Sequence, residues 1–221
     1  ALGRAAAALV ARDLALLLRG GFARGAVVLL LLPGGLLVVR GAAGDPTLEP
    51  WQLLLAGLLV SGALASGAGY LFGVDFPRAR GVSRELERVQ PLAGRVVLRA
   101  RLAPALVVSL LLLSGVALLL PAAPRGPGSA TFLLRGALLC LAVVHDAACQ
   151  GLLAEGSGDP AAGAAAYPLR SATLVILLAA ALCVHPLGIL LWPLLGWPQA
   201  ARPAARAWER GEVPVERRAS A

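Results

Sequence analysis

The sequence predicts an all-α integral membrane protein of about six transmembrane helices, with an N-terminal interfacial helix and a short cytoplasmic coupling helix. Three observations carry that prediction. Of the 221 residues, 58% are hydrophobic and only 14% charged, and the mean hydropathy is +0.79, far from the balance of a soluble domain. The charges fall between long apolar runs, among them the 24 uncharged residues from Trp51 to Val74. The twenty cations, all of them arginine, are concentrated in alternate connections between those runs. A span needs about 20 residues plus a connection, so the length leaves no room for a separate soluble domain.

Residues 1–24 hold arginines at 4, 12, 19 and 24, with Leu14, Leu17 and Leu18 at helical spacing around Asp13 and Arg19. That pattern predicts an amphipathic helix lying in the membrane interface. The segment has no methionine, which leaves a trimmed start and a piece of something longer both open, and it lacks the apolar run and cleavage pattern of a signal peptide. The transmembrane domain is expected over 25–201. Its first span, about 25–40, has an uncharged stretch of only about 22 Å between Arg24 and Arg40, so these arginines must snorkel, and Pro33-Gly34-Gly35 should kink it.

The second span, 51–74, opens on Trp51 and carries Tyr70 and Phe72 near its other end, as an interfacial aromatic belt requires. Ser61, Ala65 and Gly69 lie four apart on it and form a small-residue face for close helix packing. A cytoplasmic loop over 75–101 precedes a third span at 102–122, and a turn-rich stretch, PAAPRGPGS, separates that from a fourth at 131–154. The uncharged run from Ser171 to Ala201 is too long for one ordinary span. His185-Pro186 is read as a tight hairpin between spans at 169–185 and 187–201, the second distorted by Pro193 and Pro198, and a tail follows at 202–221.

Arginine counting sets the orientation. The N-terminal segment, the 75–101 loop and the tail hold four, seven and five arginines, against one each in 40–50 and 122–130. The positive-inside rule makes the first three cytoplasmic, which requires an even number of spans and puts both termini inside. A five-span chain would instead leave the arginine-rich tail outside. The formal charge of +8 is thus assigned to membrane orientation and not to nucleic acid.

Little in the sequence can carry covalent chemistry. Without lysine there is no Walker A motif, so the chain cannot hydrolyse ATP as a P-loop protein, and GxSxG, HExxH and paired-histidine metal spacing are absent too. No catalytic residue, metal ligand or bound cofactor is assigned. Cys140, Cys149 and Cys183 sit in apolar runs and read as packing residues. His145 and Asp146 form a candidate intramembrane polar site, with Cys149 and Gln150 one turn on, because an ionisable group at membrane depth is costly and functional by default. Neighbours in sequence point about 100° apart on a helix, so the two cannot face one ligand without other residues. An interhelical hydrogen bond and a proton or ion path are both open readings.

The 75–101 loop is more informative. Val82, Leu86 and Val89 share a face opposite Arg84, Glu87 and Arg88, Ser83 is a candidate N-cap and Glu85 lies in the first turn. The segment Ser83, Arg84, Glu85, Leu86, Glu87, Arg88, Val89, Gln90 therefore predicts a two-turn amphipathic helix. Pro91 and Gly94 end it, and Arg95, Arg99 and Arg101 lead into the third span, where they can meet headgroup phosphates. A solvated loop whose arginines only fix topology would show the same composition.

In the order of these parts the chain resembles the membrane-spanning subunit of ABC-2-type ABC transporters. The stretch RELERVQPLAGRVVLRARLAPALVVSLLLL follows the rhythm of that family's coupling segment, with Glu85, Leu86, Pro91, Leu92, Arg95 and the run Arg99 to Leu102 in matching places. The Gly-Thr or Gly-Ser that precedes the segment in the family is only loosely echoed by Gly81-Val82-Ser83, and the family's extracellular re-entrant region would have to be very short here. The resemblance implies a permease of the bacterial inner (plasma) membrane whose 83–90 helix docks on a separate ABC-type ATPase, which binds the ATP and Mg. It also implies a second permease copy or half completing the path. A secondary transporter or channel working through His145 and Asp146, a membrane enzyme and a structural membrane subunit are the competing readings.

Overall fold

A computed structural model of the chain describes residues 47–75, 93–119, 129–156, 160–194 and 203–206, together with positions 7, 8, 10, 11, 15, 35 and 41. Helix α1, Pro50–Tyr70, is continued by a π-helical turn at Leu71–Asp75. It is followed by α2 (Gly94–Leu119), α3 (Ser129–Gly156) and α4 (Pro160–Val184). A 3-10 helix at Pro186–Leu190 and a single turn, α5 (Leu191–Leu194), complete the order. There is no strand among the described residues.

Four helical stretches are long and apolar enough to cross a membrane: Pro50–Gly73, Gly94–Leu118, Ala130–Leu153 and Tyr167–Val184. The first, third and fourth lie within two residues of the predicted spans at 51–74, 131–154 and 169–185. The second corrects the prediction: α2 begins at Gly94 rather than at residue 102, so Arg95, Arg99 and Arg101 lie in its first turns and not in the loop before it. The long stems of Arg95 and Arg99 let their charges sit at the interface while the helix continues, and Arg101 turns inward, neither of which a count of charged residues registers. The predicted sixth span, 187–201, is a 3-10 turn and one α-helical turn where it is described. Most of the predicted interfacial helix and first span lies outside the described residues. Gly35 is helical and lies against α1, where a Cβ would stand 2.8 Å from Val60 Cγ1.

Local chemistry sets the helix ends. Glu49 is the N-cap of α1, its backbone N–H donating to Gln52 Oε1 at 2.8 Å, and Pro50 fills the first helical position, where its missing N–H costs nothing. α4 stops at His185, whose extended backbone breaks the helix and whose Nδ1 accepts from Leu187 N at 3.1 Å, starting the 3-10 turn. The expected hairpin at His185-Pro186 is therefore a cap followed by a tighter helix.

The four long helices alternate in direction. α1 and α3 run parallel: Gly62 faces Leu139, and Gly69 faces Val144 and Ala147. α2 runs against α3, with Leu113 beside Gly136 and Val97 and Leu98 beside Cys149 and Leu152. α4 also runs against α3, Cys183 and Leu182 lying near Arg135 and Arg170 near Asp146. The lower end of the bundle is defined here as the one where α1 ends and α2 begins.

Apolar burial gives little drive between helices in lipid, so close backbone approach matters more. Ser61, Ala65 and Gly69, the small face read from the sequence, are all buried, and Gly73 continues it by one turn. A Cβ on Gly69 would stand 2.7 Å from Ala147 Cβ, and one on Gly73 2.8 Å from Ala147 O, so α1 rests almost directly on the α3 backbone. Around this seam the core is large and aliphatic: Leu58, Leu64, Leu113, Phe132, Leu139, Leu174, Leu178 and Leu182 are fully buried.

The C-terminal part of the chain returns to the lower end. Val184 ends α4 at the top; the Trp192 ring meets that of His145 at 5.2 Å, well down α3; Ala204 packs with Val97, Leu98, Cys149 and Leu152 at the bottom. Gly94, the first residue of α2, lies directly against the Ala205 backbone.

Candidate functional site

Two polar constellations occupy the lower half of the bundle. The first joins the ends of the 75–93 connection. The last carbonyls of a helix have no intrahelical donor. At the end of α1 a donor comes from α2: Arg101 is only 2% exposed and its Nη1 donates to Gly73 O at 3.5 Å. The same junction is pressed against α3, because a Cβ on Gly151 would run into Gly73 O and lie 3.4 Å from Arg101 Nη1. Arg101, Gly73 and Gly151 thus pin three helices together where that connection leaves and rejoins the bundle.

The three arginines assigned to the approach to the third span divide. Arg101 turns inward, whereas Arg95 and Arg99, one turn apart, are exposed. The predicted coupling helix, Ser83 to Gln90, lies outside the described residues.

The second constellation surrounds the predicted polar pair. Asp146 and His145 diverge, as adjacent helical residues must. Asp146 points to α4, where its Oδ1 lies 3.4 Å from Arg170 Nη2; the carboxylate is 1% exposed and the guanidinium 44%. Gln150, one turn further along α3, stands beside both. Its Nε2 donates to Asp146 Oδ1 at 3.4 Å, and with the amide turned over its oxygen accepts from Arg170 Nη2 at 3.0 Å and Nε at 3.3 Å. Asp146 Oδ2 is buried with no hydrogen-bond partner among the described residues. His145 instead lies 3.7 Å from Cys149 Sγ through Nδ1 and meets Trp192 edge to face. Among the described residues no group of three or more His, Cys, Asp or Glu side chains could hold a metal.

The turn of α4 that carries Arg170 is held on its other side by α1. Tyr167 Oη donates to Ser66 O at 3.0 Å, the Ser66 and Ser171 hydroxyls are hydrogen-bonded, and the Tyr70 and Tyr167 rings lie 5.5 Å apart. One helical turn, Tyr167 to Ser171, is therefore clasped by α1 through hydroxyls and by α3 through an ion pair. Pro168 sits inside it and leaves the carbonyl one turn earlier without its usual donor.

Sequence reasoning found Asp146 but not its partner. Arg170 ends the turn-rich stretch before the long uncharged run, so its role as the only cation near the start of that run was the available signal. Arg135 was missed altogether: its Nη1 donates to the carbonyls of Leu182 at 2.8 Å and Cys183 at 2.6 Å, supplying the free C-terminal end of α4 with a cation.

No protein-family model, curated protein or solved structure matches the chain. The membrane-spanning character rests on the four apolar helices themselves.

Proposed function

We propose that the chain is the permease subunit of an ABC-2-type transporter, moving a substrate across the membrane on ATP hydrolysed, with Mg, by a separate nucleotide-binding subunit. In this reading both termini and the 75–101 segment are cytoplasmic, six crossings include the 25–40 segment and the irregular descent after His185, and a second permease copy or half completes the path. Ser83 to Gln90 form the docking helix for the ATPase.

The observation that carries the reading is the anchorage of the connection bearing that helix. Its two flanks, at Gly73 and Arg101, are tied to each other and to Gly151. A load applied between them reaches α1, α2 and α3 together, which a merely solvated loop would not require. The return of residues 203–206 to Gly94 agrees with a tail that starts on the same side as the 75–101 segment, as the arginine count requires in this reading.

The test is coexpression with a candidate ABC-type ATPase subunit. Glu85→Ala, Leu86→Ala and Arg88→Ala should abolish substrate-stimulated ATPase activity and transport while the chain still inserts. Variants that copurify with the ATPase and stimulate it normally would refute the docking assignment.

A secondary transporter or channel is the alternative, favoured by the unpartnered Asp146 Oδ2. It requires Asp146→Asn to stop flux that needs no nucleotide, whereas the ABC-2 reading requires flux to vanish when the partner ATPase is inactivated.

A further inference from the structure

The exposed residues of α2 form one arc along the helix. At its lower end stand Arg95 and Arg99; above them, within about 60° of Arg95 around the helix, are the partly exposed Leu106 and the exposed Leu110, while Val107, Leu111 and Leu118 lie further round. Neither arginine has a protein partner among the described residues, while Arg101 of the same helix is turned inward to Gly73. Residues four apart on a helix lie about 6 Å from each other, close enough for two guanidinium groups to grip one phosphate group. From Arg99 to Leu110 the helix rises about 17 Å, close to the depth of one leaflet's hydrocarbon, about 15 Å. In line with the two cations at headgroup level, Leu106 and Leu110 therefore offer an apolar track one acyl chain long, running toward the middle of the membrane.

We propose that this face of α2 is a binding site for an anionic phospholipid, its phosphate held by Arg95 and Arg99 and an acyl chain lying along Leu106 and Leu110. The apolar continuation is what selects a lipid over free phosphate, and arginine's planar donor set suits a phosphate oxygen pair better than simple surface charge would. The site is independent of any transport cycle and holds for any membrane protein built this way.

The experiment is native mass spectrometry and thermal unfolding of the full chain in mixed micelles containing phosphatidylglycerol or phosphatidylcholine at equal mole fraction. Phosphatidylglycerol should be retained preferentially, by up to about 30-fold for two arginines at low salt, and should raise the unfolding temperature more than phosphatidylcholine does. Arg95→Gln/Arg99→Gln should remove most of that preference while leaving stability in phosphatidylcholine unchanged, and raising the salt should weaken it. If the double variant does not insert, Arg95→Gln and Arg99→Gln singly should each remove part of it. Equal retention of the two lipids, a preference that survives the substitutions, or the same stabilisation by inorganic phosphate without lipid would each overturn the proposal.

Discussion

Replacing either member of the Asp146–Arg170 pair should have unequal consequences, because the two are unequally buried. The carboxylate is 1% exposed and the guanidinium 44%. Arg170→Gln strands a buried carboxylate, and breaking a buried pair in that way costs roughly 3–5 kcal/mol. With Arg170 gone the Gln150 amide is free to donate to Oδ1, and water can reach the vacated position, so the lower end, about 3 kcal/mol, applies here. Asp146→Asn leaves a cation that rehydrates readily and keeps the shape of the acceptor, a loss of about 1 kcal/mol, in the range of exposed pairs. For a chain of this size about 1 kcal/mol moves the unfolding midpoint by roughly 2–4 °C, so the two variants should fall by about 6–12 °C and about 2–4 °C. The double variant, holding two amides, should be more stable than Arg170→Gln alone. Cys140 and Cys149 are free and buried, so in a Cys183→Ser background a thiol-reactive fluorophore in detergent reports unfolding. An Asp146→Asn variant as damaged as Arg170→Gln, or a double variant showing the sum of the two losses, would refute the unequal-burial reasoning.

The glycines separate close approach from open space: Gly151→Ala, whose Cβ meets Gly73 O, should lose more than about 2 kcal/mol or fail to assemble, whereas Gly115→Ala, with nothing within 4 Å, should be neutral or gain up to about 1 kcal/mol in a thermal melt. Arg135→Ala removes donors to two carbonyls at the end of α4 and should cost about 2 kcal/mol. The same substitution should speed alkylation of Cys183, which is half-buried beside that end, while leaving the buried Cys140 and Cys149 protected; unchanged labelling would mean that Arg135 does not hold the α4 terminus. In the proposed orientation, a membrane-impermeant maleimide added outside intact cells should label Cys183, and labelling only after permeabilisation would invert the topology.

Most of the span architecture was legible because bilayer crossing is a composition constraint, visible in any run of about 20 apolar residues. Trp51 to Val74 and Thr131 to Ala154 were bounded within a residue on that ground alone. The method failed at α2, where arginines in a helix's first turns look like loop in a count of charges but are compatible with a span once their stems reach the interface. It was also blind to pairing. Nothing in the local pattern around Asp146 points 24 residues ahead to Arg170, because that contact depends on the rotation of α4, which is fixed by packing at Ser66, Ser171 and Val175. The divergence of His145 and Asp146 followed from helix geometry, but the direction each faces did not.

Arg101 and Arg135 have a shared logic that composition hides. Each lies in the first two turns of its own helix and reaches the C-terminal end of an antiparallel neighbour, Arg101 at α1 and Arg135 at α4. In a bundle of alternating direction, the start of one helix stands beside the end of the previous or the next, where carbonyls lack donors and the helix dipole is negative. An arginine there satisfies main-chain acceptors that lipid cannot, at opposite ends of the bundle and on opposite sides of the membrane. The positive-inside count therefore mixes two populations. Arg95 and Arg99 face outward and bear on orientation, while Arg101 and Arg135 serve packing and should be set aside from it. Removing Arg101 and Arg135 from the count leaves the excess of arginine in the 75–101 segment over 122–130 intact, six against one, so the inferred orientation survives the correction.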